Sequence, residues 1–402
     1  MSISPPAARS AENRESGLDA LRGLAALSVV VLHLVVLCLG TSYPEYSWWD
    51  RLIPVLDRTP ISLIWAGHQA VLLFFILSGF ALYRMLETCD MSYSHYVVRR
   101  VFRLWPPYVA ALAFAGGSIA LLGSRHFDQL SGWMNMFLGK SVTCEDVLLH
   151  LTMVADFDVT KLNPVIWSLI HEMRMSLVFP PIYLLLRRFG GSVVLTASFI
   201  VAAGVVAHAH WMAMPIGATA VRNTFVLQFC FVGGAVIAQS RNSIVDLYGR
   251  IPQGTRWLLA LGALVLYSDC LPVIGRTDIL DLFRVDIARE FGVLGVVAGA
   301  TWIVISAISS PALKAVLSVR PLLELGRLSY SLYLFHYVIL LGTLNAVGAS
   351  SLLRVVLVAL PLSFLVAFLA NRLIEEPSNL LGRKLVSWQR SRSKPAAEAT
   401  IS

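Results

Sequence analysis

The sequence predicts an all-α integral membrane protein, a polytopic bundle of about ten transmembrane helices with both termini in the cytoplasm. Three observations predict this fold class. The chain is 57% hydrophobic and 14% charged, whereas soluble domains average about 25% charged residues. Its apolar residues form ten segments, all but one of them roughly 17 to 25 residues long and therefore long enough to cross about 30 Å of hydrocarbon. Roughly 21 of its 32 lysines and arginines lie on the side of the termini, which favours a cytoplasmic location for that side.

The first predicted span covers residues 17–39 and follows a polar arm of mixed charge, residues 1–16. Because this apolar run is longer than the core of a signal peptide, about 7 to 15 residues, we expect it to be retained. The integral-membrane domain is predicted over residues 17–377, and a basic, disordered cytoplasmic tail over residues 378–402. The further spans are predicted at residues 61–85, 105–122, 165–187, 191–207, 222–239, 257–271, 287–309, 326–347 and 352–373.

The longest polar connection, residues 123–164, is predicted on the side opposite the termini, with residues 145–154 in the interface or re-entering the membrane. The formal net charge of +8 would suggest a nucleic-acid partner. The cations flank the predicted spans, however, so membrane orientation explains them and no nucleic-acid partner is expected. The five cysteines are scattered and form no CxxC pair, so neither a metal site nor a disulfide framework is predicted.

The first span carries two ionisable residues, Arg22 and His33. Eleven helical residues at about 100° each return to nearly the same face of the helix and rise by roughly 16 Å. An ionisable group at such a depth is costly and usually faces a cavity or a partner, which indicates a functional site. Two simpler interpretations are kept: Arg22 can extend to the cytoplasmic headgroups, and His33 can be a hydrogen-bonded histidine between helices.

Two later spans carry ionisable residues at a similar predicted depth, Glu172 and His336. Because one interior cavity would explain all three, we expect Glu172 to lie beside His33, where a carboxylate fixes the tautomer of an imidazole base. The alternative for Glu172 is an ion pair with Arg174 or His171. The alternative for His336 and the tyrosines near it is hydrogen bonding between helices.

Arg100 and Arg103 form a basic pair just before the third span, on the predicted cytoplasmic side. On a helix their spacing places both guanidinium groups on adjacent turns of one face, and guanidinium groups bind phosphate bidentately. A donor with phosphates at one end and a thin arm at the other would fit along the stripe from Arg22 to His33, and a coenzyme A thioester has this shape. Both arginines can also be plain determinants of topology.

Together these features resemble the acyltransferase family 3 of integral-membrane O-acyltransferases, over residues 17–377. The resemblance is carried by segments that follow one another in the chain: LDALRGLAALSVVVLH, FFILSGFAL, RRVFRLWPPY, WSLIHE, LSYSLYLFH and a final Glu376-Pro377. One departure is visible. Many members have Val-Asp before the Leu-Phe-Phe of the second span, whereas Val71-Leu72 stands here, with His68 nearby.

The resemblance implies transfer of an acyl group, often acetyl, from cytoplasmic acyl-CoA to a hydroxyl of a surface or secreted glycan such as exopolysaccharide, lipopolysaccharide or an oligosaccharide. We therefore expect a multi-pass protein of the bacterial inner membrane with acyl-CoA as donor substrate. Carried over, the resemblance pairs Arg22 with His33, makes His33 the catalytic candidate, and makes Arg100 and Arg103 the residues that bind the phosphates of the donor. The residues themselves add Glu172 as the carboxylate that orients His33 and Arg22 as a cation that steers the donor arm. His33 would act as a general base or as a transient acyl carrier. Four residues of the matching segments are the candidates for substrate binding: Trp167, Ser329, Tyr330 and His336.

Two other functions stay open. A proton-coupled secondary transporter or exporter of a glycan or small metabolite would use Glu172, His33 and His336 as a proton relay, although no inverted hydropathy repeat supports it. A non-catalytic scaffold would leave the intramembrane ionisable residues without a role. The residues do not fix the acceptor, the acyl chain length, the membrane face of transfer or the oligomeric state, for which a homodimer is one alternative.

Overall fold

The structure, a computed structural model, describes residues 15–89, 91–212, 218–269 and 287–393. Within these ranges the regular secondary structure is helical and no strand is present. The α-helices, in chain order, are α1 (Ser16–Leu37), α2 (Ser47–Leu56), α3 (Gly67–Thr88), α4 (Tyr93–Leu122), α5 (Gly132–Asn135), α6 (Cys144–Thr152), α7 (Trp167–Phe189), α8 (Gly191–Trp211), α9 (Val221–Gln239), α10 (Arg241–Arg250), α11 (Gln253–Ser268), α12 (Ile287–Ser309), α13 (Pro311–Leu317), α14 (Arg320–Val347), α15 (Leu352–Ala370) and α16 (Glu376–Ser393). A π-helical turn, Asn371–Glu375, joins α15 to α16.

Nine helical segments of the described chain are long and apolar enough to cross a membrane, which confirms the predicted all-α polytopic fold. Each matches one of the predicted spans. The remaining prediction, residues 257–271, falls on α11, which has 16 residues and is therefore about 24 Å long. Residues 270 and 271 lie outside the described part of the chain.

Two helices begin earlier than hydropathy predicts. Helix α4 begins at Tyr93, where the side chain of Ser92 accepts a hydrogen bond from the backbone of His95. Helix α14 begins at Arg320 and has Pro321 in its first turn, where a missing N–H costs nothing. Hydropathy marks only the apolar part of a helix, whereas charged turns can continue it into the headgroup region. Arg100 and Arg103 therefore lie inside α4.

The helix pair α1 and α14 is joined by very close backbone contact at Gly23 and Gly326. A Cβ atom added to Gly23 would lie 2.5 Å from the backbone nitrogen of Gly326, and one added to Gly326 would overlap the backbone of Asp19. Small residues allow such approach between membrane helices. Ten residues further along each helix, His33 contacts His336, so the two helices run parallel. We call the end of the bundle at which α1 begins the lower end and the opposite end the upper end.

The connection between α4 and α7 folds against the upper half of α4. The indole of Trp105 donates a hydrogen bond to the carbonyl of Leu151 at 2.9 Å, and the hydroxyl of Tyr108 donates to the carbonyl of His150 at 2.8 Å. Near the end of the connection, Nε of Arg174 in α7 donates a hydrogen bond to the carbonyl oxygen of Val154 at 2.7 Å. These bonds satisfy backbone groups that would otherwise be exposed to a low-dielectric environment.

The predicted disordered tail is wrong for residues 378–393, which form most of α16. The buried residues Ser378, Gly382 and Val386 are spaced four apart and make one stripe along this helix. A Cβ atom added to Gly382 would come within 2.6 Å of the side chain of Phe102, so the helix packs tightly on α4. Tertiary packing thus orders a segment whose composition alone favours disorder. Residues 394–402 and most of the N-terminal arm, residues 1–14, lie outside the described chain.

Candidate active site

A cavity of about 480 Å³ lies at the upper ends of α1 and α3, beneath the connection of residues 123–164. Two imidazoles, His33 and His68, belong to its wall, and two carboxylates, Asp156 and Asp158, contribute from the connection. The rest of the wall is mostly apolar. Its aromatic members are Trp133, Phe137, Phe157, Trp167, Tyr333 and Tyr337. A mostly apolar cavity with a few polar groups is the common form of a small-molecule site.

His33 is held in this wall by a hydrogen bond to the neighbouring helix α14 and by the backbone carbonyl of Val29 on its own helix. Its Nδ1 lies 2.9 Å from Nε2 of His336 on α14, and Nδ1 of His336 lies 3.0 Å from the carbonyl oxygen of Leu332. The other ring nitrogen of His33, Nε2, makes no hydrogen bond to any residue that the structure describes. A ring with one nitrogen anchored and the other available is suited to proton transfer.

Aromatic rings fix the plane of the His33 imidazole. Tyr337 meets it edge-on with 4.6 Å between ring centroids, and Trp133 stacks on it at 6.3 Å. Tyr337 is itself fully buried. Because these rings restrict rotation of the imidazole, its free nitrogen keeps one direction relative to the cavity.

Arg22, Arg100 and Glu172 form a second polar group toward the lower end, which we call the lower cluster. Arg22 donates to the carbonyl of Leu77 at 2.9 Å, and the hydroxyl of the next residue, Ser78, donates to Oε1 of Glu172 at 3.1 Å. Arg100 reaches the same carboxylate oxygen at 3.3 Å. The lower cluster thus meets a single turn of α3.

Arg100 is buried and already occupied, since it also donates to the hydroxyl of Ser176 from Nε and Nη2. Arg103 differs from it. Its side chain is exposed, and in the part of the chain that the structure describes it makes no hydrogen bond or ion pair. Arg103 is therefore the member of the predicted pair that is available to bind an anion.

In the described part of the chain, the cavity around His33 is not the single chamber that the sequence predicts. The cavity wall includes His33 but none of the lower-cluster residues. Tyr333 lies between the two sites: it belongs to the cavity wall, and its hydroxyl contacts Ser168 Oγ at 2.7 Å and donates to the carbonyl of Val165 at 2.9 Å. The ring of Phe74 meets Tyr333 edge-on at 5.7 Å. These side chains separate the cavity from the polar groups below it.

The predicted contact between Glu172 and His33 is therefore wrong. The carboxylate of Glu172 binds Arg100 and Ser78. The position beside His33 that was predicted for Glu172 is occupied by His336. Among the described residues the ion-pair alternatives are also not formed. His171 binds Thr224 and the Ala218 carbonyl, and Arg174 donates to the carbonyls of Val154 and Ala155. The register between α7 and α4 accounts for this difference, because Glu172 of α7 lies at the level of Arg100 of α4 and not at the level of the cavity.

The four predicted substrate-binding residues separate into two groups. Trp167 lies in the cavity wall. His336 instead contacts His33, and Ser329 and Tyr330 donate to the backbone carbonyls of Gly326 at 2.8 Å and Leu104 at 2.7 Å. Neither Ser329 nor Tyr330 belongs to the cavity wall. The bond of Tyr330 to α4 matches the alternative of hydrogen bonding between helices, whereas the bond of Ser329 stays within α14.

Tyr333, Tyr337 and Trp133 are site residues that were not predicted from the sequence. A helical signal for the tyrosines was available, because positions 333, 336 and 337 fall on one face of α14 at spacings of three and four. Trp133 carries no comparable signal, since it lies in a connection whose position depends on tertiary contacts.

Charged groups hold the connection over the cavity. Lys161 donates to Asp146 at 2.8 Å, and Thr143 and Asp146 form the capping box of α6. These hydrogen bonds, first that of Lys161 and then those of Thr143, hold the pKa of the Asp146 carboxyl below its ordinary value. Burial lowers the pKa of the nearby His150 imidazole, which therefore stays neutral at physiological pH.

No cluster of three or more His, Cys, Asp or Glu side chains that could hold a metal ion is found among residues 15–89, 91–212, 218–269 and 287–393. The candidate ligand-binding groups are the imidazole of His33 at the cavity and the guanidinium groups near the lower end. Along α1 they are separated by roughly 16 Å between Arg22 and His33.

A membrane-embedded helical bundle with a half-buried imidazole in its cavity defines a polytopic membrane protein with a site suited to proton transfer. A family model described as an acyltransferase domain, Acyl_transf_3, matches residues 15–372. The chain therefore belongs to acyltransferase family 3, as the resemblance in the sequence predicted, and is an integral, multi-pass membrane acyltransferase. Comparison with curated proteins and with solved structures gave no match.

Proposed function

We propose that the protein transfers an acyl group, with acetyl as the first candidate, from acyl-CoA to a hydroxyl group of a surface or secreted glycan. The observation that carries this proposal is the position of His33: one ring nitrogen is anchored, the other is free, and the ring lies in the wall of a cavity of about 480 Å³. Membership of the acyltransferase family supplies the reaction class.

The reaction follows from the free nitrogen of His33. Nε2 takes the proton of the acceptor hydroxyl as that oxygen attacks the thioester carbonyl carbon. The C–S bond then breaks, and the thiolate of coenzyme A takes the proton from the imidazolium. The products are an ester and free coenzyme A, and His33 returns to its neutral form. Direct transfer of this kind requires no acyl-enzyme.

The donor is proposed to bind at the lower end, where Arg103 is exposed and Arg22 of the lower cluster contacts α3 at Leu77. Phosphate oxygens suit guanidinium groups, and the thin pantetheine arm has to extend roughly 16 Å to bring its thioester to His33. Tyr333 and Phe74 lie on this route. In this arrangement Glu172 holds Arg100 and does not act on His33.

The acceptor is proposed to enter at the upper end. The aromatic side chains Trp133, Phe137 and Trp167 offer flat apolar surfaces to the faces of sugar rings, and Asp156 and Asp158 offer hydrogen-bond acceptors. With the lower end in the cytoplasm, as the positive-inside rule predicts, this places the acceptor on the outer side of a bacterial inner membrane.

The test uses membranes that contain the full-length protein together with radiolabelled acetyl-CoA. Alkali-labile label in the glycan fraction measures transfer, because an ester is cleaved by base. Substitution His33→Ala should remove transfer, with a loss of at least 100-fold, the lower range for a general base. The matched control is His126→Ala, which removes an exposed imidazole from the connection and should leave transfer unchanged.

Normal transfer by His33→Ala protein that is present in membranes at the wild-type level would contradict the proposal. So would proton-coupled movement of a substrate that leaves it chemically unchanged, the result expected of the alternative transporter. For that alternative, the Glu172 carboxylate would have to exchange protons with a histidine pair that it does not contact.

A further inference from the structure

We propose that His336 is a positioning residue that sets the tautomer of His33 and thereby leaves Nε2 of His33 as the base. This inference rests on the proposed function of His33. It gives His336 a role in the reaction without contact with either substrate, in place of the substrate-binding role expected from the sequence.

A backbone carbonyl fixes the protons of the two imidazoles. The oxygen of Leu332, 3.0 Å from Nδ1 of His336, can only accept a hydrogen bond, so Nδ1 of His336 carries a proton. In the neutral ring Nε2 of His336 is then without a proton and can only accept. Nδ1 of His33, 2.9 Å away, must therefore be the donor. The remaining nitrogen of His33, Nε2, is left with its lone pair.

The order Leu332, His336, His33 corresponds to a hydrogen-bonded triad in which a second imidazole replaces the orienting carboxylate. When Nε2 of His33 takes a proton, the positive charge is shared with His336 through the bond between the rings, and the Leu332 carbonyl dipole stabilises it. A buried carboxylate is not required, which agrees with the position of Glu172 in the lower cluster.

The surroundings hold His336 in place. Its side chain is 2% exposed, and the rings of Tyr333 and Tyr337 lie 6.1 and 6.3 Å from it between centroids. The close contact of Gly23 with Gly326 fixes the register of α1 against α14 ten residues below the two histidines. A buried imidazole held by its own helix and by a neighbouring one keeps a defined geometry.

The decisive comparison uses two amides that replace different ring nitrogens. In His336→Asn the amide nitrogen can replace Nδ1 and keep the bond to Leu332, but nothing replaces Nε2. In His336→Gln the side-chain oxygen can replace Nε2 and accept from His33. We expect His336→Asn to lower kcat about 100-fold with an unchanged KM for acetyl-CoA, and His336→Gln to stay within about tenfold of the wild type.

The control variant is His150→Gln. His150 is a fully buried imidazole whose Nδ1 also contacts the carbonyl four residues earlier, that of Asp146 at 2.6 Å, but it is not part of the cavity wall. We expect its kcat to be that of the wild type. A general sensitivity of the fold to loss of a buried imidazole would lower the activity of this variant as well.

A second measurement needs no acceptor. Diethyl pyrocarbonate modifies the unprotonated nitrogen of an accessible imidazole, and peptide mass spectrometry reports its rate at His33. We expect several-fold slower modification of His33 in His336→Asn than in His336→Gln, because without an acceptor at position 336 the proton of His33 can move to Nε2. Equal rates and equal kcat values in the two amide variants would overturn the inference.

The outcomes separate this inference from the proposed function. Full transfer by His33→Ala would reject His33 as the base, and with it the proposed function. An inactive His33→Ala together with full activity of His336→Asn would reject the role of His336 alone. If His336→Asn fails to fold, His336→Gln decides, since a folded Gln variant as inactive as His33→Ala also overturns the role of His336.

Discussion

The contact between Gly23 and Gly326 should control both the stability of the bundle and the geometry of the histidine pair. We predict that Gly23→Ala lowers the melting temperature and kcat together. The reason is steric: the added Cβ would lie 2.5 Å from the nitrogen of Gly326, whereas ordinary van der Waals contact begins at 3.4 Å. The obstructing atom belongs to the backbone, so only movement of a whole helix can relieve the overlap.

The size of the effect follows from these distances. The two helices must separate by about 0.9 Å, and if α1 moves as a rigid body the distance between His33 Nδ1 and His336 Nε2 grows from 2.9 Å to about 3.8 Å, outside hydrogen-bond range. Overpacking costs about 1–3 kcal/mol, from which the helix preference of Ala over Gly recovers about 0.5–1 kcal/mol. We therefore expect a net loss of about 1–2 kcal/mol and a fall in kcat of about tenfold or more.

The assay combines thermal unfolding of the purified protein in detergent with acetyl transfer in membranes. Gly326→Ala approaches the same contact from α14 and should give the same result, which excludes an effect through Arg22 alone. Gly262→Ala is the control, because a Cβ on this exposed helical glycine of α11 meets nothing within 4 Å; it should be neutral or slightly stabilising. Wild-type melting temperature and kcat in both contact variants would refute the reasoning.

Three further predictions concern other parts of the site. Arg103→Ala should raise KM for acyl-CoA by about tenfold with little change in kcat, and increasing salt should reduce the difference, because an exposed cation binding phosphate is screened. Tyr333→Phe should lower stability by about 1–3 kcal/mol in thermal unfolding, since it leaves the Val165 carbonyl without the hydroxyl that donates to it. The Asp146–Lys161 pair should stabilise the connection above about pH 4, the ordinary Asp pKa, and less as the pH falls through the lowered pKa of the folded state. Limited proteolysis of the connection against pH should show this, and Asp146→Asn should weaken the dependence and leave the part that comes from Asp158 and Lys140.

The fold class could be predicted because the membrane imposes it. A span must be apolar over about 20 residues and must satisfy its own backbone, so composition and segment length are enough to recognise helices. The same criterion missed the first turns of α4 and the helical tail. Arg99 and Arg103 interrupt the apolar pattern without interrupting the helix, and α16 is ordered by a stripe of small and apolar residues that packs on Phe102. Hydropathy reports the environment of a residue, whereas helix boundaries follow capping and tertiary contact.

The candidate site could be predicted only in part, because depth in the membrane does not determine neighbours. Spacing along one helix correctly placed Arg22 and His33 on α1, and composition pointed to Glu172 and His336. Which of these meets His33 depends on the register between helices. Close contact of Gly23 with Gly326 brings His336 to His33, and the bond from Arg100 holds Glu172 at the lower level. Neither contact has a signature in a single sequence.

The two levels of the site are connected by α1 and α14. Each helix contributes to both levels: α1 carries Arg22 below and His33 above, and α14 carries Tyr330 below and His336 above. At the proposed lower site the donor would therefore contact the same two helices, α1 and α14, whose parallel packing holds the histidine pair together. In the proposed reaction its arm must pass Tyr333, a third residue of α14. The proposed reaction therefore predicts that donor binding and alignment of the base are linked, because a movement of α14 that admits the arm would also move His336 relative to His33.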